Sequence, residues 1–326
     1  MRDLAGMLGA LRTVLPDGDR ISAVVPLTTG FSNDTYLIEG CELILRLPPA
    51  AGAMLDGHDV IAQARIYQEL GALPDGPPVP AVAMLSEDAA LLGAPFYAMR
   101  RVPGEAVHDT ELQDWFTGPG DAFRRDLCQT WVSAFADLAH IAPLKVLGAV
   151  TSPEDDARMW QAFAKAANCP ALVDLFARLL AVPAPRSGPP SLVHGDTKLS
   201  NLMWHQGQFA AMLDWEMALN GDPLADLGYI LYTFESAYHG ATTPARQPGM
   251  LGRDEVIALW SKVSGRSVDG VFWHEIAQIG KIGAIIAEGC NMFDTGRSSD
   301  PKLLYFKQNM GYYLGVMQAM LDGGGF

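Results

Sequence analysis

Two carboxylates and a carboxamide, Asp196, Asn201 and Asp214, follow one another with offsets of five and thirteen residues. The first two share the stretch Leu192-Val193-His194-Gly195-Asp196-Thr197-Lys198-Leu199-Ser200-Asn201, and the third lies in Met212-Leu213-Asp214-Trp215-Glu216. Phosphoryl transfer needs this set. One carboxylate orients the incoming hydroxyl and takes its proton late, and hard oxygen ligands hold Mg²⁺ against phosphate oxygens. Taken singly, such residues are common turn formers and caps. Their order, between an apolar strand and a hairpin that ends in Asp, is what carries the signal. Lys198, two residues after Asp196, is placed to offset charge on a transferring phosphoryl group. His194 is expected to hold the loop through hydrogen bonds rather than to act on substrate.

Two elements must bring these groups together. Leu202-Met203-Trp204 is a short apolar strand, His205-Gln206-Gly207-Gln208 a turn in which Gly207 can take positive φ, and Phe209 to Leu213 the returning strand. Folding back there returns Asp214 to the vicinity of Asn201, so both can serve as metal ligands.

The rest of the chain divides by character. The first hundred residues read as short strands, Val24–Leu27, Thr35–Ile38, Leu43–Leu47, Val82–Leu85 and Phe96–Met99, with one helix marked by Val60, Ala64, Tyr67 and Leu70 and closed by Gly71. From about Arg101 helices dominate: Phe123–His140, Arg158–Leu180, and most of Val256–Leu321. A proline-rich stretch, Val182–Pro190, reads as a surface connection into the strand before Asp196. The expected layout is α+β: a small sheet-rich lobe over residues 1–102 and a larger helical lobe over 103–326.

Composition sets outer limits. A chain of 326 residues with 49% apolar content can bury a sizeable core. No apolar run reaches the roughly 18 residues a membrane span needs, so no membrane partner is expected. Leu4–Leu11 carries Asp3 and Arg12 at its ends and reads as an amphipathic helix rather than a signal peptide. A net charge of −14 argues against nucleic acid as a partner. Cys41, Cys128, Cys169 and Cys290 form no CxxC pair, which fits free thiols in a reducing cytoplasm rather than a zinc or disulfide framework.

Leu192–Asn201, with Leu213-Asp214-Trp215-Glu216 and Gly221-Asp222-Pro223-Leu224-Ala225-Asp226-Leu227, resembles the aminoglycoside phosphotransferase (kinase-like) superfamily. Within it the chain resembles the branch found fused to acyl-CoA dehydrogenases and as free-standing bacterial homologues. The resemblance covers nearly the whole chain. It implies a bilobal protein-kinase-like fold, with a small antiparallel-sheet N-lobe that binds ATP and a helical C-lobe that carries the catalytic loop. By position, Asp196 is implied as catalytic base, Asn201 and Asp214 as magnesium ligands, and Asp226 as anchor of the catalytic loop. Asp222 and Pro223 also read simply as an N-cap followed by proline at the first helical position. Thr28–Tyr36, with Gly30, Ser32 and Asn33, resembles the phosphate-covering turn. Met99, Arg100 and Val102 fall in the stretch resembling the hinge whose backbone meets the adenine edge. The phosphate-holding lysine of the third strand is replaced by Arg46, which keeps the charge and adds a fork of donors. Gln63 stands where the paired glutamate is implied, with Glu69 further along the helix.

The implied function is ATP- and Mg²⁺-dependent transfer of phosphate to a small-molecule hydroxyl by a monomer or homodimer. Between Gly270 and Phe326 five acids face four bases, and Phe272, Trp273, Tyr312 and Tyr313 add aromatic surface. That balance favours a neutral or anionic, partly apolar acceptor such as a hydroxy acid or hydroxyacyl thioester. An aminoglycoside or amino-alcohol kinase is the alternative. A nucleotide-binding regulatory module without catalysis is the alternative of another class, motivated by Arg46 and Gln63. Metal-assisted hydrolysis is disfavoured, because such sites want more ligands at short spacing.

Overall fold

A computed structural model describes residues 2–15, 17–27, 33–49, 59–109, 111–234, 244–298 and 301–323. The chain forms two compact units: Met1–Pro103 together with Ala210–Glu216, and Gly104–Phe209 together with Met217–Phe326.

In the first unit, helix α1 (Leu4–Val14) precedes strands β1 (Ala23–Leu27), β2 (Asp34–Glu39) and β3 (Leu43–Leu47). Helix α2 (Val60–Gly71), β4 (Val82–Ser86), the short α3 (Ala89–Leu92) and β5 (Phe96–Arg100) follow. The strands make one antiparallel sheet in the order β1-β2-β3-β5-β4. Period-two alternation assigns the faces. Leu43, Leu45 and Leu47 join Ile38, Phe96 and Ala98 in a core completed by Met7 and Leu11 of α1. Arg46 points the other way and stands opposite Tyr97 in the register, as Ile44 stands opposite Met99. Helix α2 packs against β4 and β5. Its last helical residue is Gly71 and its C-cap is Ala72 in the right-handed region, so the helix ends one residue later than a glycine cap at 71 implies.

The second unit contains β6 (Glu105–Ala106), α4 (Asp114–Thr117), α5 (Asp121–Ala136), α6 (Pro153–Ala166), α7 (Pro170–Leu180) and β7 (Ser191–Val193). Next come β8 (Leu202–His205) and β9 (Gln208–Met212), the latter running from Ala210 onward in the first unit, and then, in the second, β10 (Leu219–Gly221), α8 (Leu224–Tyr232), α9 (Arg253–Ser264), α10 (Val271–Asp294) and α11 (Pro301–Gly323). The helix expected over 158–180 is two helices. Asn168 takes a left-handed φ of 57° and Pro170 restarts the chain at a first helical position, where its missing N–H is harmless. Beyond Ala136 the chain tightens into a 3₁₀ turn, Asp137–His140, rather than continuing as α-helix. Gln206 (φ 51°) and Gly207 (φ 77°) both take positive φ between β8 and β9, the geometry of a two-residue hairpin turn. Helix α10 is buried nearly all round and packs on α6, α8 and α11. Among the described residues no helix is long and apolar enough to cross a membrane.

Candidate active site

In the second unit the loop after β7 is shaped by one glycine. Gly195 takes φ 79°, and a Cβ there would meet the Met217 carbonyl oxygen at 2.3 Å. Around it several polar groups are tied. The Asp226 carboxylate accepts from the backbone N–H groups of His194 (2.9 Å) and Gly195 (2.8 Å). The Thr197 hydroxyl donates to the Asp226 carbonyl at 3.1 Å, and the Trp131 indole N–H donates to the Thr197 carbonyl at 2.9 Å. The Asp196 N–H donates to Nδ1 of His194 at 3.2 Å, and the buried imidazole sits edge-on to Phe135. His194 therefore holds the loop, as its position in the sequence implies.

Asp196 itself is 2% exposed. Asn201 donates from Nδ2 to its carbonyl (2.7 Å) and to Oδ2 (2.9 Å), and Lys198 Nζ lies 3.2 Å from Oδ2. Oδ1 is buried and meets no partner in hydrogen-bond geometry among the described residues. Burial works against the charge on Asp196, but Lys198, the Tyr229 hydroxyl, Asn201 and His194 outweigh it and hold the carboxyl below the ordinary aspartate value. The same surroundings include Asp109, which accepts from the Ser200 hydroxyl at 3.2 Å and is pushed up by burial against the pull of Lys198. Because Nδ2 of Asn201 is committed to Asp196, its Oδ1 is the atom left for a cation.

In the first unit Asp214 takes a left-handed φ of 64°, a conformation aspartate tolerates better than most residues. Its N–H donates to the Tyr67 hydroxyl at 3.0 Å, and its Oδ1 lies 3.5 Å from Nη2 of Arg46. Burial opposes the charge on Arg46, yet Tyr97, Asp214, Tyr67 and Glu216 surround it and keep it firmly cationic. Tyr97 is pushed up to about 12 by burial despite Arg46, so both rings stay neutral phenols around the guanidinium. Asn33 is buried and its Nδ2 reaches Glu216 at 3.5 Å. Gly30 and Ser32 of the presumed phosphate-covering turn lie outside the described residues. At the end of β5 Met99 is buried beside Tyr97, the Arg100 N–H donates to Ala81, and the Arg101 N–H donates to Glu42. Arg100 thus has its amide committed inside the unit, and Val102 follows it.

The first unit thus gathers Arg46 and Asp214, and the second gathers Asp196, Lys198 and Asn201. The Asn201 carbonyl oxygen in the second unit and the Asp214 carboxylate in the first are each a hard oxygen donor of the kind Mg²⁺ takes. Asp222 accepts from the Leu224 N–H at 3.0 Å and from Ser187 through N–H and hydroxyl, a capping role at the start of α8. From the sequence Tyr67 and Tyr97 read only as members of their helix and strand, Lys281 only as one of the four bases after Gly270, and Tyr229 is not singled out. The one signal in the sequence is the polar tip of each tyrosine, which takes a partner when the ring is buried.

Residues 23–260 match the model of the phosphotransferase enzyme family. Among curated proteins the chain is similar to acyl-CoA dehydrogenase family member 10 of Mus musculus, 31% identical over 216 residues, covering 61% of this chain and 19% of that protein. The chain spans about a third or less of the length of the curated relatives it matches. Among solved structures it is similar to an aminoglycoside-phosphotransferase-like protein of Ralstonia eutropha JMP134, with a TM-score of 0.76 at 20% identity over 99% of both chains. It is also similar to the GDP complex of aminoglycoside 2'-phosphotransferase-IIIa, with a TM-score of 0.60 at 15% identity over 99% of this chain and 98% of that one. These likenesses give the fold, kinase-like with an antiparallel N-terminal sheet and a helical remainder, and the family match makes the assignment: the chain belongs to the phosphotransferase enzyme family.

Proposed function

We propose that the chain is an ATP- and Mg²⁺-dependent kinase of a small-molecule alcohol, with a hydroxy acid or hydroxyacyl thioester as acceptor. The observation that carries the chemistry is Oδ1 of Asp196: buried, on a carboxyl held below the ordinary aspartate value, and without a hydrogen-bond partner among the described residues. A carboxylate of low basicity orients a hydroxyl well and takes its proton only as the new P–O bond forms. The acceptor oxygen bonds to the γ-phosphorus, its proton passes to Asp196, and the bond from the γ-phosphorus to the leaving nucleoside diphosphate, ADP, breaks. Arg46 holds phosphate oxygens through its fork of donors. Lys198, next to the carboxylate, offsets charge on the transferring group. Asn201 and Asp214 would hold Mg²⁺, whose role is to neutralise charge on the phosphates. The Val102 backbone and Met99 are assigned to the purine, and Gly30, Ser32 and Asn33 to the phosphates.

Two facts support the acceptor class. The near balance of acids and bases after Gly270 lacks the acidic excess a polycationic sugar favours, and the curated relatives are acyl-CoA dehydrogenase family members. The test is a magnesium–ATP turnover screen over hydroxy acids, hydroxyacyl-CoA thioesters, amino alcohols and aminoglycosides. Turnover with the first two groups is expected. Selective phosphorylation of aminoglycosides would overturn the acceptor class, and no transfer to any hydroxyl would overturn the kinase reading in favour of the nucleotide-binding module without catalysis.

A further inference from the structure

Helix α10 is a buried apolar helix with one ammonium in its middle. Lys281 is 2% exposed, and its Nζ donates to the carbonyl oxygen of Gly195. The ammonium lies 5.4 Å from the centre of the Trp160 ring and 5.7 Å from that of Tyr229, distances at which both ring faces attract a cation. The charges facing it are Asp156 on α6, Asp226 on α8, and Asp196 and Lys198 on the loop. Burial lowers Lys281, and the three carboxylates oppose that loss of charge. A neutral apolar residue would fill this core position at less expense than a desolvated ammonium.

The carbonyl that Lys281 grips belongs to the peptide joining Gly195 to Asp196. The N–H of that same peptide donates to Nδ1 of His194. Both ends of the peptide are therefore fixed, one by Lys281 and one by His194. The preceding amide, the Gly195 N–H, is fixed by Asp226. Gly195 is in a left-handed conformation, so nothing in its own side chain resists rotation of that peptide. A turn of the peptide plane would swing the Asp196 side chain away from its aim.

We propose that Lys281 is a positioning residue for phosphoryl transfer: by holding the Gly195 carbonyl it fixes the peptide from which the Asp196 carboxylate is aimed. This rests on Asp196 being the catalytic base. The competing role is charge balance alone, in which Lys281 merely neutralises Asp156 and Asp226.

Lys281→Met tests the contact but leaves carboxylates uncompensated and can fail to fold. The double variant Lys281→Met/Asp156→Asn removes the ammonium together with one facing carboxylate. Four quantities are measured on wild type, the double variant, Asp156→Asn and Asp196→Asn: melting temperature, backbone hydrogen exchange over residues 191–201, and kcat and KM for ATP with an accepted hydroxyl compound. Leu179→Ala, a buried core truncation on α7, supplies a variant of lowered melting temperature with Lys281 intact. The expected result is exchange over 191–201 at least tenfold faster in the double variant than in Leu179→Ala at matched distance from the melting temperature. The double variant should also lose 10- to 100-fold in kcat, with KM for ATP within about threefold of wild type. Unchanged loop exchange, or wild-type kcat, in the double variant overturns the proposal. Full activity in Asp196→Asn would instead overturn the assignment of the base. The exchange measurement decides the positioning role even where no acceptor is turned over.

Discussion

The two carboxylate oxygens of Asp226 receive the His194 and Gly195 amides at 2.9 and 2.8 Å, so one side chain on α8 holds the two residues that precede Asp196. A turn of backbone that would otherwise leave two buried N–H groups unsatisfied is thereby anchored to a helix. The arrangement places a charge in the core, and its energetics make it sensitive to pH.

Burial raises Asp226 from 3.8 to about 6, although the His194 and Gly195 amides and Lys281 pull the other way. The folded chain therefore binds this proton more tightly than the unfolded one. The favourable contribution is complete below about pH 4 and is lost as pH rises through about 6. In Asp226→Asn that dependence disappears. Relative to wild type the variant should gain roughly 3 kcal/mol in unfolding free energy between pH 4 and pH 7, at 1.36 kcal/mol per unit. Its amide nitrogen meets one of the two backbone N–H groups, so kcat should fall at least tenfold. Denaturant melts of both proteins across that range provide the check, and parallel curves would count against a protonation change at Asp226.

Gly228 lets α8 approach α10 closely. A Cβ there would lie 2.8 Å from the Glu275 nitrogen and from the His274 carbonyl carbon, backbone atoms that cannot step aside. Gly228→Ala should destabilise by about 1–3 kcal/mol. It should also reduce kcat, because Asp226 and Tyr229 ride on the displaced helix. Gly9 on α1 is the contrast: it is exposed with nothing within 4 Å of a Cβ, and Gly9→Ala should stabilise by about 0.5–1 kcal/mol. Thermal melts of the two variants should move in opposite directions.

Tyr67 holds Asp214 in its left-handed conformation by accepting its amide at 3.0 Å. Tyr67→Phe keeps the ring beside Tyr97 and removes only the acceptor. It should lower stability by about 1–2 kcal/mol. It should also raise KM for magnesium–ATP several-fold, since Asp214 is assigned to the metal. Steady-state kinetics at varied nucleotide separates this from a change in the acceptor KM, which is expected to stay constant.

Glu275 on α10 is fully buried and takes a two-pronged contact from Arg253, with Nη1 to Oε1 at 2.8 Å, whereas the Arg253 side chain is a third exposed. The two single deletions should differ. Arg253→Met leaves a buried carboxylate without its guanidinium and should destabilise by ~3 kcal/mol or more, whereas Glu275→Met leaves a cation that can turn to water and should cost less. Chemical denaturation of the pair gives the order, and an equal or reversed order would contradict this account.

Much of the frame was legible because it is local. The alternation of Leu43, Leu45 and Leu47, the turn at Gln206-Gly207, and the short spacing from Asp196 to Asn201 each involve neighbours in sequence. The break at Pro170 was legible too and was read through, since the apolar period of Arg158–Leu180 continues across it. The partners of the site were not legible. Tyr67 and Tyr97 lie on different elements of the first unit and converge on Arg46 only through sheet register and helix packing. Lys281 sits in a run of apolar residues whose period says only that the helix is buried. Its meeting with the Gly195 carbonyl depends on how α10 packs on α8, and Gly228 permits that approach without any local mark in the sequence.

The most direct measurement is single-turnover transfer of the γ-phosphate from magnesium–ATP to an accepted hydroxyl compound by wild type and Asp196→Asn, alongside nucleotide binding by both. Asp196→Asn should bind nucleotide within about threefold of wild type and lose at least 100-fold in the rate of transfer. Transfer at the wild-type rate by a folded Asp196→Asn protein would contradict the account.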